Sequence, residues 1–466
     1  MNTKANLQPI PQPRKLPFFG NILYIDSSQP VLSLMKYSEK LGPLFKLDLI
    51  TRESLIVSNY EYFNELCDET RFEKSIGGVL QKLREGLTGD GLLTVNTTDP
   101  IWRKAHNILM PCFSQNAMER YFDGMLQNVQ KLISKWQNLP ANTAIDVVED
   151  MISLSLDSLG VCGFDYNFNL LTEGKSNQFI TSFSWLFETT MKQITDLPFE
   201  KQLRVFRQLK WKKNMAYINS VVDTIIRQRR ELGQSKGSRA DMLSYMLWGV
   251  DEQTGERLED VNIRQQIINF ITIGHDTVSG LISFMLYALS QYPEVLQKAT
   301  AEVDMILGDD PLRLPTFQDI PKLTYLKQVL DETLRLWPVF PAFLIQPIQD
   351  TVIADKYLIK RENKILVLLP LIHQDPKVWG EQSTVFNPDN FTAQAQATRP
   401  ANAYKPFGNG VRACIAKQFA IQQSLLTVSL ILKNFKLANA TENYKLAIKE
   451  VNIFKPDHFK LKLEKR

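Results

Sequence analysis

Three short stretches hold residues whose types and spacing could do chemistry. In "KPFGNGVRACIAKQFA", Lys405 to Ala420, a glycine-containing loop presents Cys414 just ahead of a run whose apolar residues recur at helical spacing. A sulfur near a helix N-terminus meets free N–H groups and a positive dipole end, both of which stabilise a thiolate. Such a thiolate could be a nucleophile, a zinc ligand or an axial ligand to haem iron. The second stretch, "VNIRQQIINFITIGHDTVSGLISFMLYALSQYPE", reads as a long helix from Val261 to Glu294, apolar nearly all round and therefore buried. Yet its centre is "GHDTVSG". Glycine inside a helix costs about 1 kcal/mol relative to alanine, and buried polar groups need partners. Either the helix kinks with its polar groups satisfied, or it forms a groove in which Asp276 and Thr277 deliver protons beside something bound. In the third stretch, "LDETLRLWP", Glu332 and Arg335 lie three apart on one helix face. Leu330, Leu334 and Leu336 around them imply partial burial, where carboxylate and guanidinium require each other.

The elements that must position these residues follow from pattern. "GPLFKLDL" and "ESLIVSN" have the length and composition of two short strands joined by a turn. From Tyr60 to about Leu307 the pattern is mostly helical, "DTVIADKYLIKRENKILVLL" reads as further short strands, and the tail "YKLAIKE…HFKLKLEKR" as a terminal hairpin. Neither an internal repeat nor a low-complexity tract is seen. The expected architecture is mainly α with small β-sheets, one domain over residues 1–466. Charge is nearly balanced, with 54 Lys and Arg against 50 Asp and Glu, which gives no argument for nucleic acid. Cys67, Cys112, Cys162 and Cys414 are scattered, without zinc spacing or a disulfide framework, which suits a reducing cytoplasm. The N-terminus is polar and proline-rich, unlike a signal peptide, and no run of about 18 apolar residues suggests a membrane anchor. A soluble, cytoplasmic protein is expected.

Together "GHDTVS", "ETLR" and "FGNGVRAC", in that order, resemble the cytochrome P450 haem-thiolate monooxygenases. The loop matches the family pattern F-x-x-G-x-R-x-C at Phe407, Gly410, Arg412 and Cys414. The resemblance covers nearly the whole chain and is closest to the haem domain of bacterial self-sufficient fatty-acid hydroxylases, on "RKAHNILMPCFSQNAM", "DGLL", "CDETRF" and "KPFGNG". It implies the triangular, mainly helical P450 fold and haem b (iron protoporphyrin IX). It further implies Cys414 as proximal iron ligand, Phe407 against the sulfur side of the haem, and Gly410 for close approach. Arg412 would pair with a haem propionate, and Trp102 and His106, four apart in "IWRKAHN", look like further propionate contacts. Asp276 and Thr277 resemble the acid–alcohol pair that protonates iron-bound oxygen, and Glu332–Arg335 the family's structural pair. In the resembling hydroxylases the haem domain continues into a flavin reductase. Here the expectation is a haem domain with no fused reductase, unless the sequence is cut from a longer protein. Electrons from NAD(P)H then arrive through a ferredoxin, flavodoxin-type or flavin reductase partner.

Departures from the family pattern bear on substrate. Ile273 stands where alanine or glycine is usual, four residues before Thr277 and so on the same helix face. Leu93 falls where the fatty-acid hydroxylases carry a phenylalanine. Arg52 matches their carboxylate-anchoring arginine, but Ile56 replaces the tyrosine that assists it. In "NPDNF", Asn390 replaces the usual arginine, so the third member of the Glu–Arg network is altered. The expected activity is hydroxylation or epoxidation of a large hydrophobic substrate with O2, a fatty acid or fatty-acyl-like molecule first. The alternatives are tailoring oxidation of a polyketide or peptide natural product, and a haem-thiolate isomerase or peroxygenase.

Overall fold

The computed structural model describes residues 7–17, 20–26, 28–48, 53–173, 177–192, 204–236, 240–308, 310, 312–442, 444–451 and 453–466. In chain order the elements that bear on function begin with helix α1 (Pro30–Leu41), strands β1 (Leu44–Asp48) and β2 (Glu53–Val57), helix α2 (Tyr60–Leu66) and strand β3 (Phe72–Lys74). Helices α3 (Pro100–Leu109) and α4 (Gln115–Gln137), strand β4 (Ile145–Asp146), and helices α5 (Val147–Phe164), α6 (Gln178–Lys192) and α7 (Asp260–Gln291) follow. Next come helix α8 (Thr324–Leu336) and strands β5 (Ala342–Pro347), β6 (Thr351–Ile353), β7 (Tyr357–Ile359) and β8 (Lys364–Leu368). Helix α9 (Lys417–Asn434) and strands β9 (Phe435–Asn439), β10 (Ile448–Val451), β11 (Ile453–Pro456) and β12 (Lys460–Lys465) complete the set. The chain is mainly helical with small sheets, as the pattern predicts.

Two compact units can be described. The first comprises Met1–Ser75, Lys327–Cys414 and Ala447–Asp457. Its five-stranded sheet has the order β1-β2-β8-β5-β3, parallel only between β2 and β8. Side chains alternate across a strand, and the two faces fill accordingly. Leu55 and Val57 pack with Phe63, Phe72, Ile345 and Ile365, whereas Ile56 packs on the other face with Leu34, Phe45, Leu47 and Leu368. Pro30 opens α1 at a position where a missing N–H costs nothing, and the Glu450 carboxylate accepts the N–H groups of Val31 at 2.8 Å and Leu32 at 3.2 Å.

The second unit comprises Ile76–Leu326, Ile415–Leu446 and His458–Arg466. Three of its helices start with side-chain caps: Asp99 for α3, Ser114 for α4 and Asp146 for α5. Helix α7 runs unbroken from Asp260 to Gln291. By length and composition it could cross a membrane, contrary to expectation, but 78% of its most apolar window is buried inside the unit, so it is a core helix. Gly274 is explained by packing: a Cβ there would meet Leu159 Cδ2 of α5 at 3.2 Å.

The tail is not one hairpin. β10 pairs with β11 in the first unit, while β12 joins the sheet β4-β12-β9 of the second, Leu461 opposite Ile145 and Leu463 opposite Leu437. Strand β5 falls in a stretch the pattern left unassigned.

Candidate functional site

In the first unit the chemistry centres on the loop before Cys414. The Cys414 N–H donates to the Phe407 carbonyl at 2.8 Å, and the Ala413 N–H to Gly410 at 3.0 Å, so the loop is a closed turn with Cys414 exposed. Helix α9 begins only at Lys417, so Cys414 stands three residues ahead of it rather than in its first turn. Gly410 is required by its backbone conformation. Its φ is +60°, and a Cβ there would lie 1.8 Å from the Glu69 carboxylate, which accepts the Val411 N–H at 2.9 Å. Asn409 Nδ2 donates to the Cys67 carbonyl at 3.0 Å, so the "LCDET" segment after α2 grips the loop at two points.

The other thiols are poor thiolates. Burial pushes Cys67 up to about 12 and raises Cys112 and Cys162 further, whereas Cys414 alone is exposed. Among the described residues no cluster of three or more His, Cys, Asp or Glu has metal-site spacing. Beside the loop sit two cations. Desolvation lowers Arg412 to about 10, opposed by Glu73. Lys74, on β3, is pushed down to about 7 by desolvation first and by Arg412 second, with Cys414 acting in the opposite direction. Two partly desolvated cations of like sign form a ready seat for carboxylates. Lys74 was missed in the sequence; its signal was a lysine ending a strand in "RFEK", which is common and uninformative alone.

The Glu332–Arg335 pair is fully buried and bidentate, with Arg335 Nε and Nη2 both 2.7 Å from the carboxylate. Burial pushes the Glu332 carboxyl up, opposed by Arg335, the Asn387 N–H and Asn390. The remaining Arg335 donors reach the carbonyls of His373 (3.1 Å), Val385 (3.0 Å) and Ser383. His373 Nε2 in turn accepts the Lys405 N–H at 3.0 Å, which connects the pair to the segment leading to Cys414. Asn390 donates through Nδ2 to Glu332 at 3.2 Å, and brings no charge.

In the second unit the polar centre of α7 is satisfied locally. Thr277 Oγ1 donates to the Ile273 carbonyl at 3.0 Å, Ser279 to Asp276 at 2.8 Å and Thr272 to Ile268 at 2.7 Å. The buried His275 ring lies 5.8 Å from Phe183 and 4.0 Å from the Asp276 carboxylate. Asp276, Thr277 and Ile273 are half-buried. Asn262, Gln266, Asn269, Ile273 and Thr277 recur at intervals of three and four and share one face. On that face Gln266 accepts the Leu92 N–H at 2.9 Å, and Asn262 and Gln266 donate to the Asp90 carbonyl at 2.9 and 3.3 Å. The "GDGLL" loop, with half-buried Leu93, is therefore fastened to the side of α7 that bears Ile273 and Thr277. Asn262 and Gln266 were missed; polar residues in the first turns of an apolar helix were the signal. A cavity of about 530 Å³ is lined by Ile76, Gln81, Arg84, Glu85, Gly89, Asp90 and Asn96, and neither Leu93 nor Ile273 lines it.

Trp102 and His106 lie on one face of α3 and stack, ring centroids 4.7 Å apart. Two expected substrate contacts do not gain support. Ile56 is 1% exposed in the core beneath α1, because its place on β2 turns it to that face. Arg52 lies outside the described residues.

The cytochrome P450 family pattern matches residues 10–463. Over 458 residues the chain is 43% identical to the bifunctional cytochrome P450/NADPH–P450 reductase 1 of Bacillus subtilis, covering 98% of this chain and 42% of that protein. It is 42% identical to the bifunctional cytochrome P450/NADPH–P450 reductase of Bacillus cereus (97% and 42% covered) and 36% identical to a protein of that description from Fusarium oxysporum (98% and 42%). The chain thus spans less than half the length of these relatives. A thiol loop, a buried Glu–Arg pair and a polar-centred core helix, under a match over nearly every residue, make this chain a member of the cytochrome P450 family.

Proposed function

We propose that the chain is a haem-thiolate monooxygenase domain that uses O2 to hydroxylate or epoxidise a large hydrophobic substrate, a fatty acid or fatty-acyl-like molecule first. The observation that carries it is the single exposed thiol, Cys414, closed into a turn beside the desolvated cations Lys74 and Arg412. That donor set fits haem: one soft anionic ligand for iron and cationic seats for propionates. Cys414 would hold the iron, with Arg412 and Lys74 holding the carboxylates. Bound there, haem supplies reductive activation of dioxygen, favoured by electron donation from a thiolate.

The protein's own part is positioning and proton handling. Thr277 keeps its hydroxyl on the Ile273 carbonyl, which leaves its oxygen lone pairs to accept a further bond, and Asp276 is the neighbouring acid. The rigid β-branched Ile273 and the fastened Leu93 loop narrow the approach on this face of α7. That bulk suits an extended apolar chain entering from one side. Electrons from NAD(P)H come through a reductase, and the relatives named above combine P450 and reductase in one protein.

The test is a ferrous–CO spectrum with a spectral titration by fatty acids. A thiolate-type band in the parent, lost in Cys414→Ser with helix content retained, is the expected result. A band that survives in Cys414→Ser moves the iron ligand elsewhere and ends this reading.

A further inference from the structure

Outside the Cys414 turn and the buried pair, a further cation of the first unit is held among rings: Arg399, which lies nine residues beyond the uncharged Asn390. Its Cζ lies 4.4 Å from the Trp379 ring centroid, 4.4 Å from Phe391 and 5.9 Å from Tyr404, three rings from three separate segments. Phe391 and Tyr404 meet edge to face at 4.7 Å, and Trp379 also takes the Arg335 guanidinium at 4.8 Å. One indole therefore receives both guanidiniums. Arg399 Nη2 donates to the Asn390 carbonyl, while Asn390 Nδ2 donates to Glu332. Tyr404 then donates its hydroxyl to Asp331, 3.1 Å from Oδ1, and the next residue, Lys405, donates its N–H to His373. The segment from Arg399 to Lys405 is pinned at its first and last residues to the surroundings of the buried pair, and it runs directly into the Cys414 turn.

We propose that Arg399 is a positioning residue: its guanidinium, clamped by Trp379, Phe391 and Tyr404, supplies the second cation of the Glu332–Arg335 network and fixes the segment that carries Cys414. Desolvation lowers the Arg399 pKa while Tyr404, Asp331 and Glu332 oppose that, as expected of a cation held in place by acceptors and rings. The inference rests on Cys414 being the haem ligand. A lysine cannot replace this arrangement, because planar stacking and a directed N–H are used together.

The experiment compares the parent with Arg399→Ala, Arg399→Lys and Arg399→Ala/Asn390→Arg, by peptide hydrogen exchange over 400–409 and by the thiolate fraction of the ferrous–CO spectrum. Loss of a desolvated ring-clamped cation should speed exchange in that segment about tenfold and lower the thiolate fraction to about half. The lysine variant should resemble alanine, and arginine at 390 should recover both readouts. A general loss of stability would lower the melting temperature without changing the thiolate fraction of folded molecules. If Arg399→Ala does not fold, the lysine variant decides: impaired readouts support the clamp, and parent-like readouts overturn it. Unchanged exchange and spectrum in Arg399→Ala overturn it as well, and failure of Asn390→Arg to recover either overturns the shared role. A parent without a thiolate-type band sinks the haem reading instead, and exchange alone then judges the clamp.

Discussion

The polar groups of α7 and those around the Glu332–Arg335 pair are both buried among apolar side chains, yet they are satisfied in opposite ways. On α7 each hydroxyl turns back onto a carbonyl three or four residues earlier, while Asn262 and Gln266 in its first turns reach the loop at Asp90 and Leu92. Around the Glu332–Arg335 pair the further partners come from outside its helix: His373, Ser383 and Val385 for Arg335, and Asn387 and Asn390 for Glu332. Local satisfaction leaves a group able to exchange its partner for a ligand at little cost. Distributed satisfaction fixes several segments at once and makes each member expensive to remove. The first arrangement suits groups that must handle protons, and the second suits a frame that must hold a loop still.

The largest expected effect lies in the frame. Glu332→Ala leaves Arg335, which is 0% exposed, as an uncompensated buried charge, and the loss of stability should be about 3–5 kcal/mol. Urea unfolding of parent and variant measures it. A loss below about 1 kcal/mol, the range of exposed pairs, would mean the interior relaxes around a lone guanidinium and the contrast with α7 is false.

A smaller effect distinguishes the frame by pH. Burial and the nearby Arg335 and Arg399 push His373 down to about 3 in the folded state, against an ordinary value near 6.5. With the folded pKa depressed, the unfolded chain binds the proton first. Stability is therefore full above the unfolded value and falls as pH drops toward the folded one, by about 2 kcal/mol between about pH 6.5 and 5. The charged or titratable groups facing the ring and its backbone are Arg335, Arg399 and Tyr404. His373→Gln keeps an acceptor for the Lys405 N–H and removes the titration. Its stability should fall less steeply over the same window, and parallel curves for parent and variant would show that His373 is not held neutral.

What could be read in advance follows the same division. The α7 pattern, the strands β1 and β2 and the Cys414 turn were legible because their signals are local: apolar spacing, a short alternating run, glycines before a cysteine. The clamp on Arg399 was not, since "ATRPANA" says nothing of rings contributed by Trp379, Phe391 and Tyr404. The packing of Ile56 was not legible for a related reason. A position matched by resemblance carries no information about which face of the sheet it occupies, and here strand alternation turns it into the core. The split tail failed likewise, because β12 finds its partners in β4 and β9 rather than in its neighbour.

Thr277→Ala should have the smallest effect on stability and a large one on chemistry. The hydroxyl donates to its own helix at Ile273, and back-bonding of this kind contributes little to helix stability. Alanine gains helix propensity, so the net change should stay within about 0.5 kcal/mol. If Thr277 handles protons, the folded, haem-loaded variant should still consume NAD(P)H when supplied with a reductase. More of that consumption should end as peroxide, with less oxidised substrate per reducing equivalent. Melting temperature and the ratio of product formed to NAD(P)H consumed, measured side by side, separate the two expectations. A destabilisation comparable with Glu332→Ala would place Thr277 in the frame, whereas unchanged stability with unchanged coupling would leave its hydroxyl as a helix-satisfied group and return proton delivery to Asp276 alone.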